Sequence, residues 1–384
     1  MPPVAVRLAI IQRYFPHYRK PVFDGLWARP GIALSLLYGL LQEPRADLGI
    51  SQPAPPMPYT VPLGNRYLPG TRLMWQSGAL RHTLSGACDV VILEGDMHIL
   101  SNVAILLLAR FRRVPVLLWL KGWWGDGAGE ASLGGGLRGV VRRLFLGLAD
   151  GVVCYGESTR RQFQAGGLAP DRLFVAQNTV MVETLTQPAA NAAPMAPEVE
   201  RLLASPRPYV FTIGRMVRDK RIPELIRSFV AAGLGKVDLV VAGDGPERDA
   251  VAAAAKGYGN VHVVGPVSDA DADRLLLRAM ACAFPGAVGL AVNQAMAAGG
   301  VVLCADEPGP DSEIVVDGVN GIRLPHGDEA AWTGALGRVA ADAALRSRLG
   351  AAARETVIER ATVGRMVSGL ENAARSILRL REGR

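Results

Sequence analysis

At 384 residues, 49% hydrophobic and 20% charged, the chain is longer than one hydrophobic core usually serves and has the composition of a globular protein. Two domains are expected, and wholesale disorder and collagen-like or coiled-coil repeats are excluded. The formal net charge of +7 is uneven: residues 1–180 carry 19 Lys/Arg against 11 Asp/Glu, and residues 181–384 carry 23 against 24.

The apolar run in MPPVAVRLAIIQRYF is short and flanked by arginines, so it reads as a first β-strand rather than a signal segment or a membrane span. His17 and Arg19 follow on the next loop. The runs VRLAIIQ, IALSLLYGL, DVVILEG and VPVLLWLKG alternate with helical stretches such as KPVFDGLWA and ILSNVAILLLARF, the rhythm of a doubly wound parallel sheet. Glu94, Asp96 and His98 stand together in ILEGDMHIL, but no second His is near and no metal is expected. The clusters Arg110, Arg112, Arg113 and Arg138, Arg142, Arg143 face either solvent at helix ends or an anionic surface, a bilayer or nucleic acid. No nucleic-acid-binding motif accompanies them, and nucleic acid is not expected as a partner. Lys121 and Trp123 follow VLLWL. They are placed either at a sugar or phosphate of a ligand or in a packed wall. Four cysteines, Cys88, Cys154, Cys282 and Cys304, lack metal or disulfide spacing, which fits a reducing compartment.

The first domain is assigned to residues 1–182, closing with ADGVVCYG and RLFVAQNTV. The Pro/Ala-rich segment ETLTQPAANAAPMAPE, residues 183–198, is read as a linker. A second αβ series occupies 199–360: YVFTIGRM, PELIRSFVAAG, VDLVVAGDG, VHVVGPV, DADRLLLRAM, ACAFPG, LAVNQAMAAG and VVLCAD. From Glu329 onward only helices are expected, and the last, about 361–384, is a candidate to pack back on the first domain.

Ligands of open α/β sheets bind beyond the C-terminal strand ends, where free N–H groups and helix starts hold phosphate. Four features of the second half fall there. Gly214, Arg215 and Lys220 follow YVFTI, and a forked guanidinium beside a point-charge ammonium suits a pyrophosphate. Gly243, Asp244 and Gly245 form a tight turn after VDLVV, where Asp244 either meets a ligand or accepts local N–H bonds. Gly286, Val288, Gly289 and Leu290 open the helix AVNQAMAAG with amides available for a distal phosphate. The segment from Asp306 to Gly321 is the fourth.

In this order and spacing, GR…K, AGDGP, VVGPVSDADADRLL, P-G…GL followed by QAMAAG, and E-IVVDGVNGIRLP resemble the retaining glycosyltransferases of family 4. The likeness spans about Val210 to Leu324, and more loosely RYFPHYRKPVFDGL, LWLKGWWG and ADGVVCYGESTRRQF. It implies the fold called GT-B: two Rossmann-like parallel-sheet domains facing each other across a cleft, with the nucleotide-sugar donor on the second and the acceptor on the first. Arg215 and Lys220 match the pair on the donor diphosphate, and Gly289 and Leu290 match the helix-start amides. Gln294 stands where the family's ribose-binding Glu is usual, and Gly286 where its other Glu is. Lys121-Gly122 departs from the His-Gly usual in relatives after this strand; Lys121 is assigned to catalysis with the two cations, and His17, Arg19 and Trp123 to the acceptor side. The likeness further implies an enzyme taking a UDP- or GDP-sugar, without a metal cofactor, and a glycan or lipid-linked acceptor such as those of bacterial surface polysaccharides. A cytoplasmic location with contact to an anionic membrane follows as an expectation. A binding protein that has lost turnover and a sugar-nucleotide epimerase are the alternatives.

Overall fold

The computed structural model describes residues 5–40, 56–123, 133–186 and 194–383. The chain divides into two compact units. One comprises Met1–Asn178, Pro308–Pro310 and Val363–Arg384; the other comprises Thr179–Glu307 and Asp311–Thr362.

In the first unit the elements run β1 (Val6–Gln12), α1 (Lys20–Trp27), β2 (Ile32–Gly39), β3 (Thr60–Tyr67), β4 (Met74–Ser77), α2 (Ala79–Leu84), β5 (Val90–Glu94), α3 (Leu100–Leu108), β6 (Val116–Leu120), α4 (Gly136–Leu148), β7 (Gly151–Cys154), α5 (Glu157–Ala165) and β8 (Leu173–Val175). The strands form one sheet in the order β4-β3-β2-β1-β5-β6-β7-β8, parallel except for the antiparallel β3–β4 pair. Alternation along each strand splits the core between the two faces. Leu8 and Ile10 join Phe23 and Leu26 of α1 on one side. Ala9 and Ile11 join Ile105 of α3 and Phe145 of α4 on the other. Both faces being covered, the central strands show no regular polar alternation, which is why their sequences are mostly apolar. β3 and β4 carry Pro62, Gly64 and several exposed side chains. They were not foreseen, because an edge ribbon open to water lacks that continuous apolar signal.

The second unit runs α6 (Glu183–Thr186), α7 (Pro197–Ala204), β9 (Tyr209–Ile213), α8 (Ile222–Ala231), β10 (Asp238–Ala242), α9 (Arg248–Ala255), β11 (Val261–Gly265), α10 (Asp269–Arg278), β12 (Ala281–Phe284), α11 (Ala291–Ala297), β13 (Val301–Ala305), β14 (Ile322–Leu324), α12 (Glu329–Ala341) and α13 (Ala343–Arg360). Its sheet is wholly parallel, in the order β11-β10-β9-β12-β13-β14. Helix starts are defined by side-chain caps: Ser268 accepts from the Asp271 amide at 3.1 Å, Asp328 from Ala331 at 2.9 Å and Asp342 from Leu345 at 2.8 Å.

The segment read as a linker differs from that reading at both ends. Glu183–Thr186 is helical, Pro197 starts α7 in the first helical turn where its missing N–H costs nothing, and both helices pack on α10. Residues 187–193 lie outside the described residues. The boundary between the units falls at Asn178/Thr179 rather than after Val182. The last helix, α14 (Val363–Glu382), belongs to the first unit, where Met366, Leu370 and Ala374 enter the same core face as α1. Close approach is built in: a Cβ on Gly369 would stand 2.5 Å from the Val175 carbonyl oxygen. Arg381 Nη2 pairs with Asp150 at 2.6 Å.

Candidate functional site

In the second unit the strand order reverses between β9 and β12, so the loops leaving these two strands diverge to opposite faces and leave a crevice between them. The first loop is Gly214–Arg221, the second Pro285–Leu290. They touch. The Ala287 N–H donates to the Asp219 carbonyl at 2.9 Å, and the Lys220 ammonium donates to the Ala287 carbonyl. Thr212, Gly214, Lys220, Phe284, Pro285 and Gly286 line a narrow crevice of about 10 Å³ where the loops meet.

The charges on these loops differ in their partners. Lys220 Nζ stands 3.3 Å from where a Cβ on Gly289 would be, so the ammonium lies at the start of the α11 segment. Arg215 is half-buried, and among the described residues its guanidinium meets neither a carboxylate nor any other acceptor. Likewise no protein acceptor among them takes the amides of Val288, Gly289 and Leu290, which precede the first turn of α11. A half-buried guanidinium without a counter-charge is costly to keep dry and attracts an anion. Gln294, on α11, is half-buried with its backbone carbonyl in the helix.

Glycine is required at two places for close approach. Gly243 has φ +131°, and a Cβ there would overlap the Gly214 carbonyl oxygen. This lets the turn after β10 press against the turn after β9, where the Met216 amide donates to the Asp244 carbonyl at 2.8 Å. The Asp244 carboxylate accepts from the Gly245 amide at 2.8 Å and lies 3.7 Å from Arg248, so it is engaged locally. Gly286 is buried, and a Cβ there would overlap the Asp219 carbonyl oxygen. The position that holds a Glu in the family resembled is therefore closed by backbone in this chain.

One contributor had no signal in the sequence. Arg221, immediately after Lys220, adopts φ +53°, a strained conformation for a residue with a Cβ. It is clamped there by Glu224 and by His326, whose ring lies 2.6 Å from Glu307. These residues are up to 105 positions apart in sequence. The clamp fixes the chain direction on which Lys220 depends.

The residues assigned to the acceptor side lie in the first unit. Arg19 is only 6% exposed; it donates to Asn178 Oδ1 at 2.5 Å and sits over the rings of Trp119, at 5.4 Å, and Tyr155, at 5.6 Å. Its delocalised charge is held by aromatic faces in the interior, away from solvent. Trp123 is fixed at both backbone atoms by Gln162, at 3.0 Å each, and packs edge-on against Phe163 with Arg142 at 5.1 Å over its ring. It is a wall residue. His17 is half-buried in a 3-10 turn, and Lys121 is exposed at the end of β6. Glu94 and Asp96 pair with Arg13, and His98 stacks its Nδ1 on Asp96 at 2.8 Å.

Residues 198–356 match the family described as glycosyl transferases group 1. No curated protein matches the sequence. Among solved structures, the Anabaena Alr3699/HepE protein in complex with UDP aligns over 97% of this chain and 100% of its own at 16% identity, with a TM-score of 0.70. Sucrose-phosphate synthase from Thermosynechococcus elongatus aligns over 99% and 100% at 18% identity, TM-score 0.71. A Listeria monocytogenes protein described as a UDP-N-acetylglucosamine 2-epimerase aligns over 97% and 96% at 14% identity, TM-score 0.67. The fold is GT-B. Because this fold also matches the protein described as an epimerase, fold alone does not choose the chemistry.

Proposed function

We propose that the chain transfers a glycosyl unit from a UDP- or GDP-sugar to a glycan or lipid-linked glycan acceptor, with retention at the anomeric carbon. The observation that carries this reading is the half-buried Arg215, which meets no acceptor among the described residues and lies on the same switch-point loop as Lys220, within the stretch that matches glycosyl transferases group 1. Arg215 and Lys220 would grip the donor diphosphate, the amides of Val288, Gly289 and Leu290 its distal oxygens, and Gln294 the ribose hydroxyls. The bond from the anomeric carbon to the diphosphate oxygen breaks as the bond to the acceptor oxygen forms, and the acceptor's proton passes to the leaving phosphate. Charge accumulates on that diphosphate in the transition state, where the two fixed cations stabilise it more than in the ground state. In this reading they take the neutralising role that a metal has in other transferases, and chelators leave turnover unchanged.

Titration calorimetry with UDP and GDP tests the donor site. Measurable binding is expected for at least one, weakened about 10–100-fold by Arg215→Ala, the loss of a charge-assisted hydrogen-bonding group. No affinity for either nucleotide in the wild type would refute the reading. A second reading, a nucleotide-sugar binding protein without turnover, is favoured by Gly286, whose closed position admits no carboxylate beside the transferred sugar. Sustained product from a panel of UDP- and GDP-sugars with glycan and lipid-linked acceptors would exclude it.

A further inference from the structure

We propose that the outward face of α4, with the 3-10 turn Ala109–Arg112 beside it, docks the first unit on an anionic bilayer surface. A surface helix ordinarily turns its apolar stripe inward. Here the inward side is Gly139, Arg142, Phe145 and Leu146, whereas Leu137, Val140, Val141 and Leu144, spaced three and four apart, all point to solvent. Leu137 is 80% exposed and Leu144 66%. The inversion has a local cause: Arg142 is taken inward by the Leu133 carbonyl at 3.0 Å and the Trp123 ring.

The neighbouring segment repeats the feature. Phe111 is 83% exposed in the turn after α3, with Leu107 half-exposed before it. The two segments are pinned together, because the Arg110 guanidinium donates to the carbonyls of Leu148, at 2.9 Å, and Gly147 at the end of α4. Arg138 and Arg143 are exposed among the apolar side chains of α4, and Arg112 stands next to Phe111. Residues 97–149 carry seven Lys/Arg against two acids, Asp126 and Glu130.

Charge and apolarity together select the occupant. A second copy of the chain would set arginine against arginine across a two-fold contact. A nucleic acid would take the arginines and leave Leu137, Leu144 and Phe111 in water. A bilayer satisfies both: apolar side chains enter the boundary between headgroups and acyl chains, while arginines extend their guanidinium groups to anionic headgroups. The inference involves no residue of the donor crevice, so it stands or falls separately from that site.

Co-sedimentation with phosphatidylcholine vesicles, with and without phosphatidylglycerol, at low and high salt tests it. The wild type is expected to partition onto the anionic vesicles at low salt and to leave them at high salt. Arg138→Gln and Arg143→Gln should each weaken partitioning about fivefold, the share of one cation near such a surface. Leu137→Glu with Leu144→Glu, and separately Phe111→Glu, should weaken it at least about tenfold, with unchanged melting by circular dichroism because these side chains are exposed. Absence of wild-type partitioning at low salt, or an acidic variant that partitions as the wild type does, would overturn the proposal. So would a dimer in light scattering that the same variants dissociate, since a second copy would then own the face.

Discussion

In both units the strand order reverses beside the first strand, at β1/β5 in one and at β9/β12 in the other, and in both the loop after the first strand places an arginine at the reversal. The two arginines have opposite surroundings. Arg13 donates its amide to Glu94 at 2.7 Å and its guanidinium to Asp96, while Asn65 and Gln76 take the neighbouring carbonyls of Arg13 and Gln12 at 3.0 and 2.9 Å. Arg215 has no such partners among the described residues, and Lys220, on the same loop, donates to the Ala287 carbonyl. The same topology therefore places an arginine at a strand-order reversal twice, and side-chain chemistry neutralises one of them while the other meets no counter-charge among the described residues. Position in the sheet gives the opportunity to bind; the local charge sum decides whether it is kept.

The comparison breaks most visibly through nucleotide affinity. Replacing both Arg215 and Lys220 by Ala should reduce UDP or GDP binding by more than about 100-fold, each charged donor contributing about 1.5–3 kcal/mol. Arg13→Ala should leave that affinity within about twofold, since its charge is already matched by two carboxylates. Calorimetry on the three proteins decides it. An Arg13 variant as deficient as the double variant would show that the two crevices do not differ as argued.

Backbone packing offers the next largest effect. Gly286→Ala should destabilise the protein by about 2–4 kcal/mol in urea unfolding and weaken nucleotide binding with it, because the new Cβ must displace the Asp219 carbonyl and hence Lys220. Gly259→Ala, where nothing stands within 4 Å of the added atom, should change stability by less than about 0.5 kcal/mol. Equal unfolding midpoints for the two would deny the loop contact. In the first unit, Asp96→Asn should cost about 1–3 kcal/mol by loosening the half-buried Arg13 while sparing nucleotide affinity, which the same two measurements read.

Much of this was legible in the sequence, and the reason is specific to the fold. Strands covered on both faces are apolar at most positions on both sides, so VRLAIIQ, VVILE, YVFTI and VVLCA announce themselves, and the loops that follow them in a parallel sheet necessarily converge at one end. Lys220 and Gly289 could be brought together from order alone. Arg19 and Trp123 could not be placed, because what claims them, Asn178, Trp119, Tyr155 and Gln162, is distant in the chain and carries no local pattern. The clamp of Arg221 by His326 and Glu307 was equally hidden: an exposed His looks alike whether free or paired. The ribbon β3–β4 escaped because its stability comes from pairing at an edge, not from burial of a continuous run.

The smallest expected effect is also the finest probe of how the open crevice works. Gln294 lies on α11 one turn past the free amides, half-buried, with a neutral amide where a carboxylate is usual in the family resembled. A neutral hydrogen bond to a ribose hydroxyl contributes about 0.5–1.5 kcal/mol, so Gln294→Ala should weaken nucleotide binding only about two- to tenfold. In the proposed donor site, Gln294→Glu would add a negative charge near the diphosphate that Arg215 and Lys220 are to hold. If the cations dominate, the ribose bonds strengthen and affinity stays within about threefold of the wild type; the added repulsion is screened by Arg215 and Lys220. Should Gln294→Glu instead abolish binding, the crevice would have too little positive charge to tolerate one more anion. The contrast with the self-neutralised crevice of the first unit would then be narrower than the unpartnered Arg215 implies.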